Sequence, residues 1–219
     1  MTGLIIKDWK LLKRQGRYYG IVVALACVLS LSGSQNFSSF ITTYLTFMIT
    51  MFAFSSFNYD DFDNGMLFLM ALPSGRHDYV KAKYVFSILL ITGGWILGVL
   101  LHLTLFTFRF SLADYLEILP SEPVYLLLCL IYIGFAFPLL MKYGAEKGRN
   151  LAFIGLGILA AAVYLIAKTG VRLPALLLTF DRLLQTSPLT ALVILTAGCI
   201  LVLWISCLLS MRIMEKKEF

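Results

Sequence analysis

Residues 58–85 read NYDDFDNGMLFLMALPSGRHDYVKAKYV. Acid gathers at the front, in Asp60, Asp61 and Asp63, and base at the back, in Arg76, Lys81 and Lys83, with a short apolar stretch between. Such dense charge is unusual in this chain, where 60% of the 219 residues are hydrophobic and 14% are charged. A soluble domain carries about a quarter charged residues. The apolar residues are also contiguous, in six runs at about 18–33, 37–57, 84–108, 123–141, 150–168 and 188–211. About 20 apolar residues at 1.5 Å rise cross the hydrocarbon of a bilayer. Lipid offers no partner to backbone N–H and C=O groups, so spanning segments of this length are helices. The runs do not alternate polar and apolar residues, which excludes the strands of a membrane barrel. The sequence therefore predicts an all-α membrane protein with six transmembrane helices, read as a single membrane domain over 1–219.

Lys and Arg are distributed unevenly between the two sides of these spans. With the N-terminus inside, only Arg109, Lys168, Arg172 and Arg182 of the 18 Lys and Arg residues fall outside. The positive-inside rule then sets both termini, and the charged stretch after the second span, in the cytoplasm of a cell-membrane protein. The net charge of +6 is accounted for by lipid headgroups and orientation, without a nucleic-acid partner. The first run is the shortest, and a signal peptide is its other reading. The long charged leader before it argues for a span. Cys27, Cys129, Cys199 and Cys207 lie inside spans, with no spacing that suggests zinc or a redox pair.

The leader LIIKDWKLLKRQGR is amphipathic. Ile5, Trp9 and Leu12 fall on one face, and Lys7, Lys10, Arg14 and Arg17 on another. It reads as an interfacial helix with Trp9 at the boundary and its cations toward anionic lipid, or as a docking element for a partner. In the second span Thr43, Thr46 and Thr50 form a hydroxyl stripe. They either bond their own helix or turn toward a pathway or neighbouring helix. The third span carries Gly94 and Gly98, a spacing that lets helices approach closely. It also carries His102, roughly 9 Å from the middle of that run by 1.5 Å per residue. The sequence names no partner for His102, which is either a hydrogen-bonded structural histidine or part of a pathway. Pro123 opens the fourth span and Pro138 predicts a kink in it. Gly157 and Ala161 mark a tight-packing face on the fifth. Before the sixth span, Leu173, Leu176, Leu177, Phe180, Leu183 and Leu184 recur at helical period, with charge at the tip. That segment is too short to span and predicts a re-entrant or surface-lying outer helix.

Within the charged stretch, acids precede a predicted helix over Asn64–Ala71, where they complement its positive end. Met66, Leu69 and Met70 fall on one side of that helix, Pro73 stops it, and Ser74 caps the next. The chain then re-enters the membrane past Arg76 and Lys83. The pattern of acid, short apolar helix and LPSGRHDYVKAKY resembles the loop between spans two and three of ABC-2-type permeases, through Leu72, Pro73, Arg76, Val80, Lys83 and Tyr84. Ser74 and Gly75 depart from that family's usual apolar-then-hydroxyl pair. Among the branches of the family, small chains of this kind look most like the permeases of bacterial peptide exporters, those of phenol-soluble modulins and of antimicrobial-peptide immunity transporters among them. The resemblance implies that the helix carrying Asn64, Gly65, Met66 and Leu69 is a coupling helix seated on a cytoplasmic ATPase. Asp60, Asp61 and Asp63 would flank that contact, while Arg76 and Lys83 fix the return into the membrane.

The chain has no Gly-Lys-Ser/Thr phosphate loop and no metal cluster or nucleophile–base pair of its own. ATP and magnesium are therefore expected on a partner ABC ATPase in two copies, beside a second permease chain, identical or related. The apolar spans favour an amphipathic peptide as substrate, with Thr43, Thr46, Thr50 and His102 as candidate lining. A secondary transporter or channel for a small or lipid-like solute is the alternative. Such proteins carry charge or broken helices at mid-depth.

Overall fold

The computed structural model describes residues 2–32, 40–62, 65–71, 75–107, 115, 118–169 and 188–217. Eight α-helices cover nearly all of them: α1 Thr2–Arg14, α2 Gly16–Ser32, α3 Phe40–Asp61, α4 Gly65–Ala71, α5 Arg76–Thr107, α6 Glu122–Tyr143, α7 Ala145–Thr169 and α8 Pro188–Lys216. A 3₁₀ turn, Leu119–Ser121, leads into α6. Five of these, α3 and α5–α8, are long and apolar enough to cross a membrane. The first expected span corresponds to α2, whose 17 residues reach roughly 25 Å at 1.5 Å per residue, short of the ~30 Å of a typical hydrocarbon core. The predicted first outer loop and the predicted re-entrant helix before α8 lie outside the described residues.

The packing centre is α6, which touches α3, α5, α7 and α8. The ring of Phe137 meets Phe57 at 4.9 Å, Tyr84 at 5.0 Å and Phe54 at 6.2 Å between centroids, all edge-on. Edge-to-face contacts of this kind add about 0.5–1.5 kcal/mol each beyond the area they bury. α3 and α5 pack closely along their length. A Cβ on Gly98 would lie 3.1 Å from the backbone of Thr42, and one on Gly94 would fall inside the side chain of Ile49. The small-residue spacing in the third span is thus spent on the second. Gly157, by contrast, has open space where a Cβ would go, and Ala161 is exposed. Among the described residues, the expected tight-packing face of α7 meets no helix, and most of α7 and α8 is turned outward.

Local chemistry sets the helix ends. Pro123 sits in the first turn of α6, where it forfeits no helical hydrogen bond. Pro138 is accommodated inside α6, which continues to Tyr143. Gly144 then adopts φ +85°, which an L side chain resists, and α7 starts at the next residue. The hydroxyls of Thr46 and Thr50 donate to the carbonyls of Thr42 and Thr46 at 2.6 and 2.7 Å. This is local satisfaction of a buried hydroxyl within its own helix.

Candidate functional site

The expected interfacial helix α1 has a third face that the two-faced sequence reading left out. Leu4 and Asp8 are buried on it, with Leu12 and Gln15 following at helical spacing. Asp8 is the single acid of a basic helix, and it faces the cytoplasm-side ends predicted for α3 and α5. Lys83 of α5, 1% exposed, meets both oxygens of Asp8 at 3.1 Å and Oδ2 of Asp60 at 2.7 Å. Its ammonium also donates to the hydroxyl of Ser56 and lies 5.2 Å from the ring centre of Phe57. Lys7 pairs with Asp60, and the Tyr79 hydroxyl donates to Asp60 Oδ2 at 3.0 Å. Asp8, Asp60 and Lys83 are thus buried together with the part-exposed Lys7 beside them, two cations and two carboxylates at zero net charge, each with several partners. That arrangement keeps the desolvation cost of burial from exceeding the attraction. Gln15 extends the stitch from α1 to Ser55 and Tyr59 of α3, at 3.2 Å each.

The same end of the bundle is tied in two further places. Asp61 accepts a hydrogen bond from the backbone N–H of Ala145, so a carboxylate caps the positive end of α7. Arg76, at the start of α5, donates to the carbonyls of Met214 and Glu215 at 3.0 and 2.7 Å, closing the negative end of α8. His77 contacts the Glu215 carboxylate at 2.6 Å, and Lys217 reaches the Met141 carbonyl at 3.0 Å. Deeper in, Tyr84 bonds Ser206 and Ser210 of α8.

Between α3 and α5 sits α4, described from Gly65 to Ala71, the end expected from sequence. Its Met66 is buried and Leu69 is partly buried against the main core. Both face the protein, and the open side carries Phe68, 70% exposed. Phe62, 71% exposed just before α4, adds a second aromatic to that surface. Phe62 also borders an open groove with Tyr143, Glu146 and Lys147 at the α6–α7 turn. Of the residues expected around this helix, Asp63, Asn64 and Pro73 lie outside the described ones. Asp60 and Lys83 are interior, Asp61 and Arg76 cap neighbouring helices, and Gly65 opens α4 against the carbonyl of Asp60, where a Cβ would lie 2.9 Å away.

The predicted lining residues lie elsewhere. Thr46 and Thr50 are fully buried between packed helices, and Thr43 is exposed. His102 does have a partner. Its Nδ1 is hydrogen-bonded to Oε1 of Glu122, the first residue of α6, and both side chains are 0% exposed. Sequence reasoning placed Glu122 in the loop before the fourth span, so the pair went unseen. Glu122, Asp8 and Phe68 are the residues it missed. For Asp8 there was a usable signal, a lone acid in register with Leu4 and Leu12.

Among models of protein families, that of the ABC-2 family of transporter proteins matches residues 3–215. A search of curated proteins finds no match.

Proposed function

The chain belongs to the ABC-2 family of transporter proteins, which makes it a multi-pass membrane permease that works with an ABC ATPase, and we propose that it serves the export of amphipathic peptides. In this reading the chain is one membrane domain with six spans, α2 completing the set, and both termini in the cytoplasm. Two permease chains, identical or related, assemble with two ATPase subunits that carry the ATP and magnesium.

The observation that carries this reading is the setting of α4. It joins two spans whose ends are held by the buried ions Asp8, Asp60 and Lys83 and the part-exposed Lys7, while its own outer face presents Phe68. A push on α4 then moves α3, α5 and α1 as one body. ATP binding closes the ATPase pair, α4 follows, and the spans tilt to open the pathway outward. This is a shift between two states driven by differential affinity for nucleotide. In this scheme Asp60 and Lys83 serve coupling as the joint behind the contact, Asp61 and Arg76 tie α7 and α8 to it, and Phe62 and Phe68 touch the ATPase. The apolar faces of α7 and α8 suit lipid, a second permease chain or an amphipathic peptide. Thr43 is the open member of the hydroxyl stripe, and Thr46 and Thr50 join it only when α3 and α5 part.

The test is copurification of the ATPase with the full chain. Phe68→Glu, alone and with Phe62→Glu, is expected to abolish it while the permease remains folded, and unchanged copurification overturns the contact. The substrate class is read separately, as ATP turnover of the intact complex with added amphipathic peptides. Turnover that no such peptide alters overturns the peptide assignment and leaves the permease standing.

A further inference from the structure

Pro138 leaves a gap inside α6. It has no N–H, so the carbonyl four residues earlier, that of Gly134, loses its helical donor. In lipid such a carbonyl has to find its partner within the protein. The partner comes from α8, where the hydroxyl of Ser206 donates to the Gly134 carbonyl. The missing side chain of Gly134 lets α8 come this near, because a Cβ there would stand 3.3 Å from Val202 and 3.5 Å from Leu203. Gly134, Pro138 and Ser206 therefore act as one feature of the fold, a break in one helix closed by a hydroxyl from another.

That bond is one step in a chain. The Tyr84 hydroxyl of α5 lies 2.6 Å from the hydroxyl of Ser206 and 2.9 Å from that of Ser210, one turn further along α8. Each hydroxyl has a single proton to give. Ser206 gives its proton to Gly134, so the Tyr84 phenol donates to Ser206, and Ser210 in turn donates to Tyr84. The donors run in one direction, from Ser210 through Tyr84 and Ser206 to the backbone of α6, and each bond polarises the next. All three side chains are buried. Tyr84 also follows Lys83 directly. Lys83 reaches into the ionic joint with α1 and α3, while Tyr84 reaches α8 and the ring of Phe137 on α6. Two consecutive residues of α5 thus connect the joint to the break.

We propose that Tyr84 and Ser206 are positioning residues for the permease, which carry a shift of α5 to a pivot in α6 at Gly134 and Pro138. While the chain of hydroxyls is closed, Ser206 stands in for the missing helical bond and holds α6 at one angle. When α5 moves against α8, the phenol leaves Ser206 and the hold on Gly134 weakens. α6 then swings at the proline, where its own ladder is broken. Its inner arm, residues 138–143, ends at Gly144 and the capped start of α7, so the swing passes on to α7. The inference rests on the permease reading for the source of the shift.

The first test uses the full chain in lipid nanodiscs, with amide exchange read by mass spectrometry over residues 134–143 of α6. Ser206→Ala is expected to lower protection there about threefold, the size of a typical interhelical hydrogen bond in a membrane. Pro138→Ala restores the N–H, so adding Ser206→Ala to it is expected to leave protection unchanged. An equal loss in both backgrounds overturns the proposal. Tyr84→Phe keeps the ring and is expected to lower protection over the same residues of α6, although it lies on α5. An unchanged value overturns the relay, and this arm stands whether or not Pro138→Ala folds. The second test separates positioning from mere support. In the complex with the ABC ATPase, ATP with vanadate is expected to lower protection of residues 134–143 in the parent and to add nothing in Tyr84→Phe. A parent that does not respond to nucleotide, or a Tyr84→Phe complex that responds as the parent does, overturns the positioning role. The first test contains no ATPase and the second reads α6 alone, so failure here leaves the contact at α4 standing, and unchanged copurification of Phe68→Glu leaves the pivot standing.

Discussion

Two ionic clusters sit on the same helix and are built differently. Lys83 and His102 both belong to α5, roughly 28 Å apart along it at 1.5 Å per residue, about the thickness of a hydrocarbon core. Lys83 is surrounded by Asp8, Asp60, Ser56 and two aromatic rings, and its charge is matched. Among the described residues, His102 has one hydrogen-bond partner and a nitrogen without one. A saturated cluster fixes relative positions, because any movement within it strands a buried charge. A half-satisfied pair leaves polar atoms without partners among the described residues and holds its helix ends with fewer bonds.

The largest effect is expected at the saturated end. Lys83→Met leaves an unmatched carboxylate buried, and breaking such a cluster costs about 3–5 kcal/mol. Thermal unfolding of the purified chain should fall steeply, and Asp8→Asn added to Lys83→Met should recover part of the loss by restoring neutrality. If the double variant is no better than the single one, the cluster is not held by charge balance. Arg76→Gln gives up charged hydrogen bonds to the last carbonyls of α8, in a partly exposed setting. A loss of about 1–2 kcal/mol in the same assay is expected. Glu122→Gln keeps the shape and one hydrogen bond of its pair, so its stability should stay within about 1 kcal/mol of the parent. If Glu122→Gln destabilises as much as Lys83→Met, the contrast between the two ends is wrong. Phe68→Glu alters an exposed ring and should leave unfolding unchanged, its effect appearing only when the ATPase is present.

Much of the fold was legible in the sequence because membrane helices announce themselves through composition. The apolar runs, the short helix after the second span, the Pro123 start and the Gly94–Gly98 approach all depend on residues close together in the chain. Pairings between helices were not legible, because they depend on how each helix is rotated and how deep each residue lies. Asp8 and Lys83 are far apart in sequence and meet only once α1 is laid against α3 and α5. Glu122 read as loop because it precedes a proline, although that proline opens the very helix that buries it. Which face of α4 is buried was not legible for the same reason. Met66 and Leu69 share a side, but periodicity alone does not say whether that side meets the protein or a partner. Gly157 and Ala161 show the limit from the other direction, a packing pattern with no counterpart among the described residues.

The central claim is that the open face of α4 is where an ATPase makes contact and that the joint behind it carries the motion. A photo-crosslinking amino acid at position 68, in the full chain expressed with its ATPase, tests this most directly. The control is position 204, an exposed tryptophan on α8. A crosslink from position 68 to the ATPase, with none from position 204, is the predicted result. An α4 that crosslinks only to lipid or to other permease residues in the active complex would contradict it.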